Sequence, residues 1–132
     1  MASLVPNVGK AIISGRMIGG AAPTQTEPRY IGWGTGAGAG SATSTDLSTP
    51  ATEARVTGTG TQVTITQTND THQIVGTITA SGAKTITNVG VFDATGSGSP
   101  PSGGVLYAIF DGLSQALNSG DSIQFTCRIQ FT

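Results

Sequence analysis

Residues 121–132 read DSIQFTCRIQFT, and this stretch decides the fold class. Every second residue is apolar and the residues between are polar, which is the period of a β-strand with one face on a hydrophobic core. We therefore predict a strand at this point of the chain. Its inward-facing side chains are expected to be Ile123, Phe125, Cys127, Ile129 and Phe131.

Other extended segments precede this strand. Residues 105–110 (VLYAIF) are apolar enough to be covered on both faces, and residues 85–92, 72–79 and 62–68 favour strands, with Val63 and Ile65 on one face. Residues 95–104 predict a flexible loop, residues 113–118 a connector, and residues 46–54 the one short helical turn. Seven or eight strands without a crossover helix predict an all-β fold, an antiparallel β-sandwich or barrel, with a jelly-roll-like sandwich preferred.

Residues 1–28 predict an extended N-terminal arm in front of a single β-sandwich domain at 29–132. Residues 10–18 (KAIISGRMI) could supply one strand, and prolines at positions 23 and 28 favour extended backbone between residues 21 and 28. The arm has too little amphipathic pattern to fold alone, so we expect it to lie along the domain or to reach a neighbouring subunit. Its candidate partner contacts are Lys10, Ile12, Ile13, Arg16 and Met17.

Two aromatic residues follow the arm. Tyr30 and Trp33 lie in YIGWG at residues 30–34, where glycines let other backbone approach closely. We include both side chains among the candidate partner contacts, and ordinary core packing is the alternative for each. The next stretch, residues 35–41 (TGAGAGS), is either mobile or packed flat against another part of the molecule.

The composition points away from nucleic acid and membranes. Of 132 residues, 10% are charged and the net charge is −1, against about 25% charged residues in an ordinary soluble domain. The six basic residues are scattered, so no electrostatic footprint for nucleic acid is expected. No signal peptide or membrane span is indicated, and we expect synthesis in a cytoplasm.

Few side chains could carry out catalysis. His72 is the single histidine, and Cys127 alternates with apolar residues as a buried structural thiol would, so a zinc site of ordinary type is not expected within one chain. Asp93, Asp111 and Asp121 each adjoin a predicted turn, although a shared calcium site is an alternative. We therefore predict no enzyme activity, no cofactor and no metal.

Several short motifs resemble small structural proteins of tailed bacteriophages. They are TITNVGVFDA at residues 85–94, GVLYA at 104–108, NSGDSI at 118–123 and the terminal alternating strand. YIGWGTG at residues 30–36 is similar to the opening of such virion proteins. The resemblance covers most of residues 29–132 and rests on these short motifs.

This resemblance implies a β-sandwich decoration (cement) protein on the outside of the virion's capsid. Its partners would be the major capsid protein and its own copies in a homotrimer. The motif from residue 86 to residue 108 is also similar to modules of phage tail-tip and fibre proteins, which bind a host receptor or glycan. In that alternative an exposed Trp33 or Tyr107 would stack on sugar. A third interpretation is a cytoplasmic carbohydrate-binding domain unrelated to phages.

Overall fold

The computed structural model describes residues 2–17 and 26–132. These residues form ten strands and one helix. The helix is α1 (Asn7–Met17), and the strands are β1 (Ala2–Leu4), β2 (Tyr30–Gly34), β3 (Val56–Thr57), β4 (Thr59–Val63), β5 (Thr71–Thr79), β6 (Lys84–Ile86), β7 (Asn88–Phe92), β8 (Leu106–Asp111), β9 (Gln115–Leu117) and β10 (Ser122–Gln130).

The strands form antiparallel sheets. One has five strands in the order β1-β8-β7-β2-β3, a second has three in the order β10-β5-β4, and β6 pairs with β9. Ile31 and Val91 of the five-stranded sheet share one hydrophobic core with Ile74, Ile78 and other residues of the three-stranded sheet. The prediction of an all-β, antiparallel, sandwich-like fold is therefore confirmed. The finer prediction of a jelly-roll strand order stays a prediction.

The strand predicted from the alternating pattern is β10. It pairs with β5 along its whole length, from Ser122 opposite Thr79 to Gln130 opposite Thr71. Cys127 and Ile129, which lie on the same face of the strand, are buried as predicted. Phe131 is 50% exposed, so the inward orientation predicted for it is wrong. The strand ends at Gln130, and the alternation of faces ends with it.

The N-terminal residues differ from the prediction. Residues 7–17 form α1, so the strand predicted from residue 10 onward is wrong over its described part. Val8 and Ile12 are spaced by four, as on one face of a helix, and Ile12 is buried in the core. Before the helix, β1 pairs with β8 from Ala2 opposite Asp111 to Leu4 opposite Ile109. The first described residues therefore form an edge strand of the five-stranded sheet.

Three smaller expectations also change. β4 ends at Val63, and Ile65 lies exposed in the turn that follows. The Asp70 carboxylate holds this turn, because it accepts hydrogen bonds from the backbone N–H groups of residues 65, 66 and 67. Residues 46–54 contain no helical turn, and the connector predicted at 113–118 includes β9. The loop at 95–104 is irregular, as predicted, with one bridge between Ser97 and Ser102.

In the part of the chain that the structure describes, no helix has the length and hydrophobicity needed to cross a bilayer.

Candidate functional site

An open groove lies beside the C-terminal half of α1. It has a volume of about 470 Å³, and we call it the helix groove. The helix forms one wall, and the others are formed by residues 27–28, by β8 and by residues near the ends of β4, β5 and β10. The lining residues are Ile12, Ile13, Arg16, Met17, Glu27, Pro28, Gln62, His72, Tyr107 and Phe131.

Four of the seven predicted contact residues line this groove. Ile13 is half-buried and Arg16 is exposed, while Met17 is 80% exposed. Ile12 reaches the groove but is only 1% exposed, so it is chiefly a core residue. Lys10 is exposed on the helix outside the groove and lies 3.4 Å from the Asn7 side-chain oxygen.

The two predicted aromatic contacts are not free surface groups. Trp33 is 2% exposed, and its indole N–H donates to Glu53 Oε2 at 3.1 Å while its ring meets Phe125 edge-on. Core packing is therefore the role of Trp33 in this chain. Tyr30 is half-buried and packs against a smaller apolar cluster, with the Arg29 guanidinium 5.9 Å from the centre of its ring.

The base of the helix groove contains a histidine–tyrosine pair that the sequence did not predict. His72 Nδ1 lies 3.3 Å from the Tyr107 hydroxyl, and the two side chains come from β5 and β8, which belong to different sheets. Burial lowers the pKa of His72, partly opposed by the negative charge of Glu27. Burial raises the pKa of Tyr107 to about 12. At neutral pH the pair is therefore uncharged.

Glu27 and His72 both approach Gly60. A Cβ at Gly60 would lie 2.5 Å from Glu27 Oε1, the end of a flexible side chain that would have to move, and 3.3 Å from His72 Nε2. The Glu27 carboxylate also lies 3.9 Å from the Arg29 guanidinium. The groove therefore combines apolar walls with one ion pair at its rim.

Burial shifts the pKa values of several titratable side chains at this groove and in the core. His72 is half-buried and Tyr107 is 2% exposed, and burial makes both groups harder to ionise. Among residues 2–17 and 26–132, no cluster of three His, Cys, Asp or Glu side chains could hold a metal ion. Cys127 is buried, as predicted, and burial raises the pKa of its thiol to about 12, which disfavours the reactive thiolate.

The glycan alternative required an exposed Trp33 or Tyr107. Each of these side chains is 2% exposed, so neither offers a face on which a sugar could stack. That particular expectation is wrong, because both aromatic rings are used to fill the core between the two larger sheets.

Comparison with protein-family models, with curated proteins and with solved structures gives no match.

Proposed function

We propose that this protein is a non-enzymatic decoration (cement) protein that stabilises a bacteriophage capsid. It would be made in the host cytoplasm, bind the major capsid protein on the outside of the virion and form a homotrimer. The observation that carries the proposal is the exposure of large apolar side chains at the helix groove, Met17 at 80% and Phe131 at 50%. The bacteriophage motifs of residues 85–123 supply the context.

The energetics of such a contact are favourable only when many copies act together. Burying one large apolar side chain completely contributes about 1.5–3 kcal/mol, so Met17 and Phe131 together give a modest gain per copy. Capsid lattices repeat the same contact many times, and linked contacts reinforce one another through multivalency. A small protein with a shallow apolar groove can therefore stabilise a shell without a deep pocket.

Point variants test the groove better than removal of the N-terminal residues. Ile12 is a core residue and β1 is a sheet strand, so a truncated chain would lose fold as well as contact. Met17→Ser and Phe131→Ser change exposed side chains and should leave the fold intact. Ile65→Ser is the matched control, because Ile65 is as exposed as Phe131 and does not line the groove.

The experiment measures binding of the purified protein to capsids assembled without it. We expect Met17→Ser to weaken binding by about 10-fold and Phe131→Ser by about 3- to 10-fold, since complete burial of such a side chain contributes about 1.5–3 kcal/mol and half of Phe131 is already covered, while Ile65→Ser has no effect. Unchanged binding by both groove variants would refute the role of the groove.

The location on the particle is tested separately by cryo-electron microscopy of virions carrying this protein. Copies on three-fold or quasi-three-fold positions of the shell would support the capsid proposal. Density confined to the tail would overturn it in favour of a tail-tip or fibre module that binds a host receptor.

A further inference from the structure

The outer edge of β10 is unusually open. Among the described residues its strand partner is β5 alone, and it lies at the end of the three-stranded sheet. Proteins normally protect such an edge with prolines, bulges, several charges or a short strand. β10 has nine residues in unbroken register with β5, contains no proline, and carries one charged residue, Arg128. It is therefore suited to pairing with another strand.

The ladder with β5 shows which backbone groups face this edge. The Ala80 N–H donates to the Asp121 carbonyl at 2.8 Å, and the Phe131 N–H donates to the Asp70 carbonyl at 2.9 Å. Hydrogen-bonded pairs alternate along an antiparallel ladder, so the odd-numbered residues of β10 bond to β5. The outward N–H and C=O groups therefore belong to the five even-numbered residues, Ser122, Gln124, Thr126, Arg128 and Gln130.

The sequence of β10 is complementary to itself in the antiparallel direction. When Thr126 lies opposite Thr126 of a second copy, every even-numbered residue faces an even-numbered one, as the outward hydrogen bonds require. Apolar residues then face apolar residues on the core side, Ile123 opposite Ile129 and Phe125 opposite Cys127. Because odd-numbered residues lie opposite odd-numbered residues and even-numbered opposite even-numbered, the core face of one sheet continues into the core face of the next.

Charge favours the same register. In the pairing centred on Thr126, each Arg128 lies opposite Gln124 of the second copy, so the two cations are separated. A slip that centred the pairing on Arg128 would place the two guanidinium groups opposite each other, which is unfavourable. The Thr126-centred register is also the one that pairs all nine residues of β10.

We propose that two copies of this chain associate through antiparallel pairing of their β10 strands, which joins two three-stranded sheets into one of six strands. The contact is isologous and joins copies two at a time, so it goes beyond the proposed function and uses a surface other than the helix groove. A shallow groove of about 250 Å³ next to this edge, lined by Phe110, Leu113 and Phe125 among others, gives the second copy further apolar surface to cover.

The test is the mass of the full chain in solution, measured by analytical ultracentrifugation over about 1 μM to 1 mM. Association through β10 doubles the mass as concentration rises, starting from 13.2 kDa for the single chain or from three times that mass for the homotrimer of the proposed function. Gln124→Glu places a carboxylate opposite Arg128 in both symmetric positions and should tighten the dimer about 2- to 30-fold. Gln124→Arg places cations opposite Arg128 and should weaken it by a similar factor.

The same substitutions at Gln115 are the matched control. Gln115 is exposed on β9, outside the three-stranded sheet. Gln115→Glu and Gln115→Arg should therefore leave the dissociation constant of the dimer unchanged. Thr126→Pro removes the central outward N–H without touching the ladder to β5 and should abolish dimerisation.

A native chain that stays monomeric throughout, or a dimer whose constant moves in the same direction with both charges at position 124, would overturn the proposal. A trimer insensitive to these variants would overturn it as well, while leaving the capsid proposal intact. If the native chain dimerises and the Gln124 variants bind capsids as the native chain does, then dimerisation uses the β10 edge and capsid binding uses a different surface.

Discussion

At the scale of single residues, Glu53 joins three parts of the fold. Its carboxylate accepts hydrogen bonds from the Trp33 indole and from the backbone N–H of Ser81 at 2.9 Å, and it pairs with Lys84. Burial alone would raise the pKa of Glu53, but these hydrogen bonds outweigh burial and lower the pKa to about 2. Folding therefore favours the ionised form of the Glu53 carboxyl group.

The pKa of Glu53 predicts how stability depends on acid. A carboxyl group whose folded pKa lies below its unfolded value stabilises the fold above the unfolded pKa, here 4.5, and loses that contribution as pH falls toward 2. Glu53→Gln keeps the shape without the charge, and we expect it to cost about 1–3 kcal/mol at pH 7. Urea unfolding followed by circular dichroism at several pH values should show this difference shrinking below pH 4.5.

The pH dependence of the native chain's stability also reflects other carboxyl groups. One is Asp70, whose pKa is lowered by hydrogen bonds from backbone N–H groups, first of all that of Gln67. The comparison with Glu53→Gln isolates one carboxyl from them. Glu27→Gln is the control, since Glu27 pairs with Arg29 at the surface and should cost less than about 1 kcal/mol. A pH-independent gap between the native chain and Glu53→Gln would contradict the role of the Glu53 charge.

At the scale of secondary structure elements, the docking of α1 depends on Gly9. A Cβ at this position would lie 2.3 Å from the Tyr107 carbonyl oxygen and 3.0 Å from that of Leu106. Glycine therefore lets the helix backbone approach β8, although glycine is a poor helix former. The close approach buries Ile12 in the core.

Gly9→Ala tests this contact. Alanine raises helix propensity by about 1 kcal/mol, but overpacking against fixed backbone costs about 1–3 kcal/mol, so we expect the helix to dock less well. Trypsin cleavage after Lys10 and Arg16, which lie on the helix, should become at least about threefold faster. Ser14→Ala, on the exposed side of α1, should leave the cleavage rate unchanged or lower it. Slower cleavage of Gly9→Ala than of the native chain would show that space at Gly9 is not limiting.

The elements that the sequence predicted are those with a local signal. β8 is apolar throughout because both of its faces are covered, and β10 alternates between apolar and polar residues because only one of its faces is covered. α1 was missed because Gly9 and Gly15 weaken its helical pattern, while the contact that favours a helix comes from β8, about 100 residues further along the chain. Ile65 was misplaced because the turn beside it depends on hydrogen bonds to Asp70.

The candidate site was predicted in part for the same reason. The sequence places Ile13, Arg16 and Met17 in one arm, and the fold brings them to one groove. His72 and Tyr107 meet only after β5 and β8 come together from different sheets, and no local pattern encodes that meeting. Arg55 was also missed as a structural residue. It is buried, donates to the carbonyls of Ala94 and Gly103, and lies 3.5 Å from the centre of the Phe92 ring.

At the scale of the whole molecule, the two larger sheets share one core, and Trp33 lies within it. Trp33 is the single tryptophan of the chain, so its fluorescence reports on that core alone. We predict that unfolding in urea followed by Trp33 fluorescence coincides with unfolding followed by circular dichroism, because neither sheet can keep its packing without the other. Two separate transitions would contradict a common core.

The pairing of β1 with β8, and of β10 with β5, bears on how the chain folds as it is made. Residues 2–4 find their neighbours only when residues 106–111 have been synthesised, and β5 lacks one of its two neighbours until residues 122–130 emerge. The fold therefore cannot be completed before residues 122–130 are available, and topologies dominated by distant pairings fold in milliseconds to seconds. Until their partners are made, β1 and β5 each lack a neighbouring strand, and unpaired strand edges make an incompletely folded chain prone to aggregate.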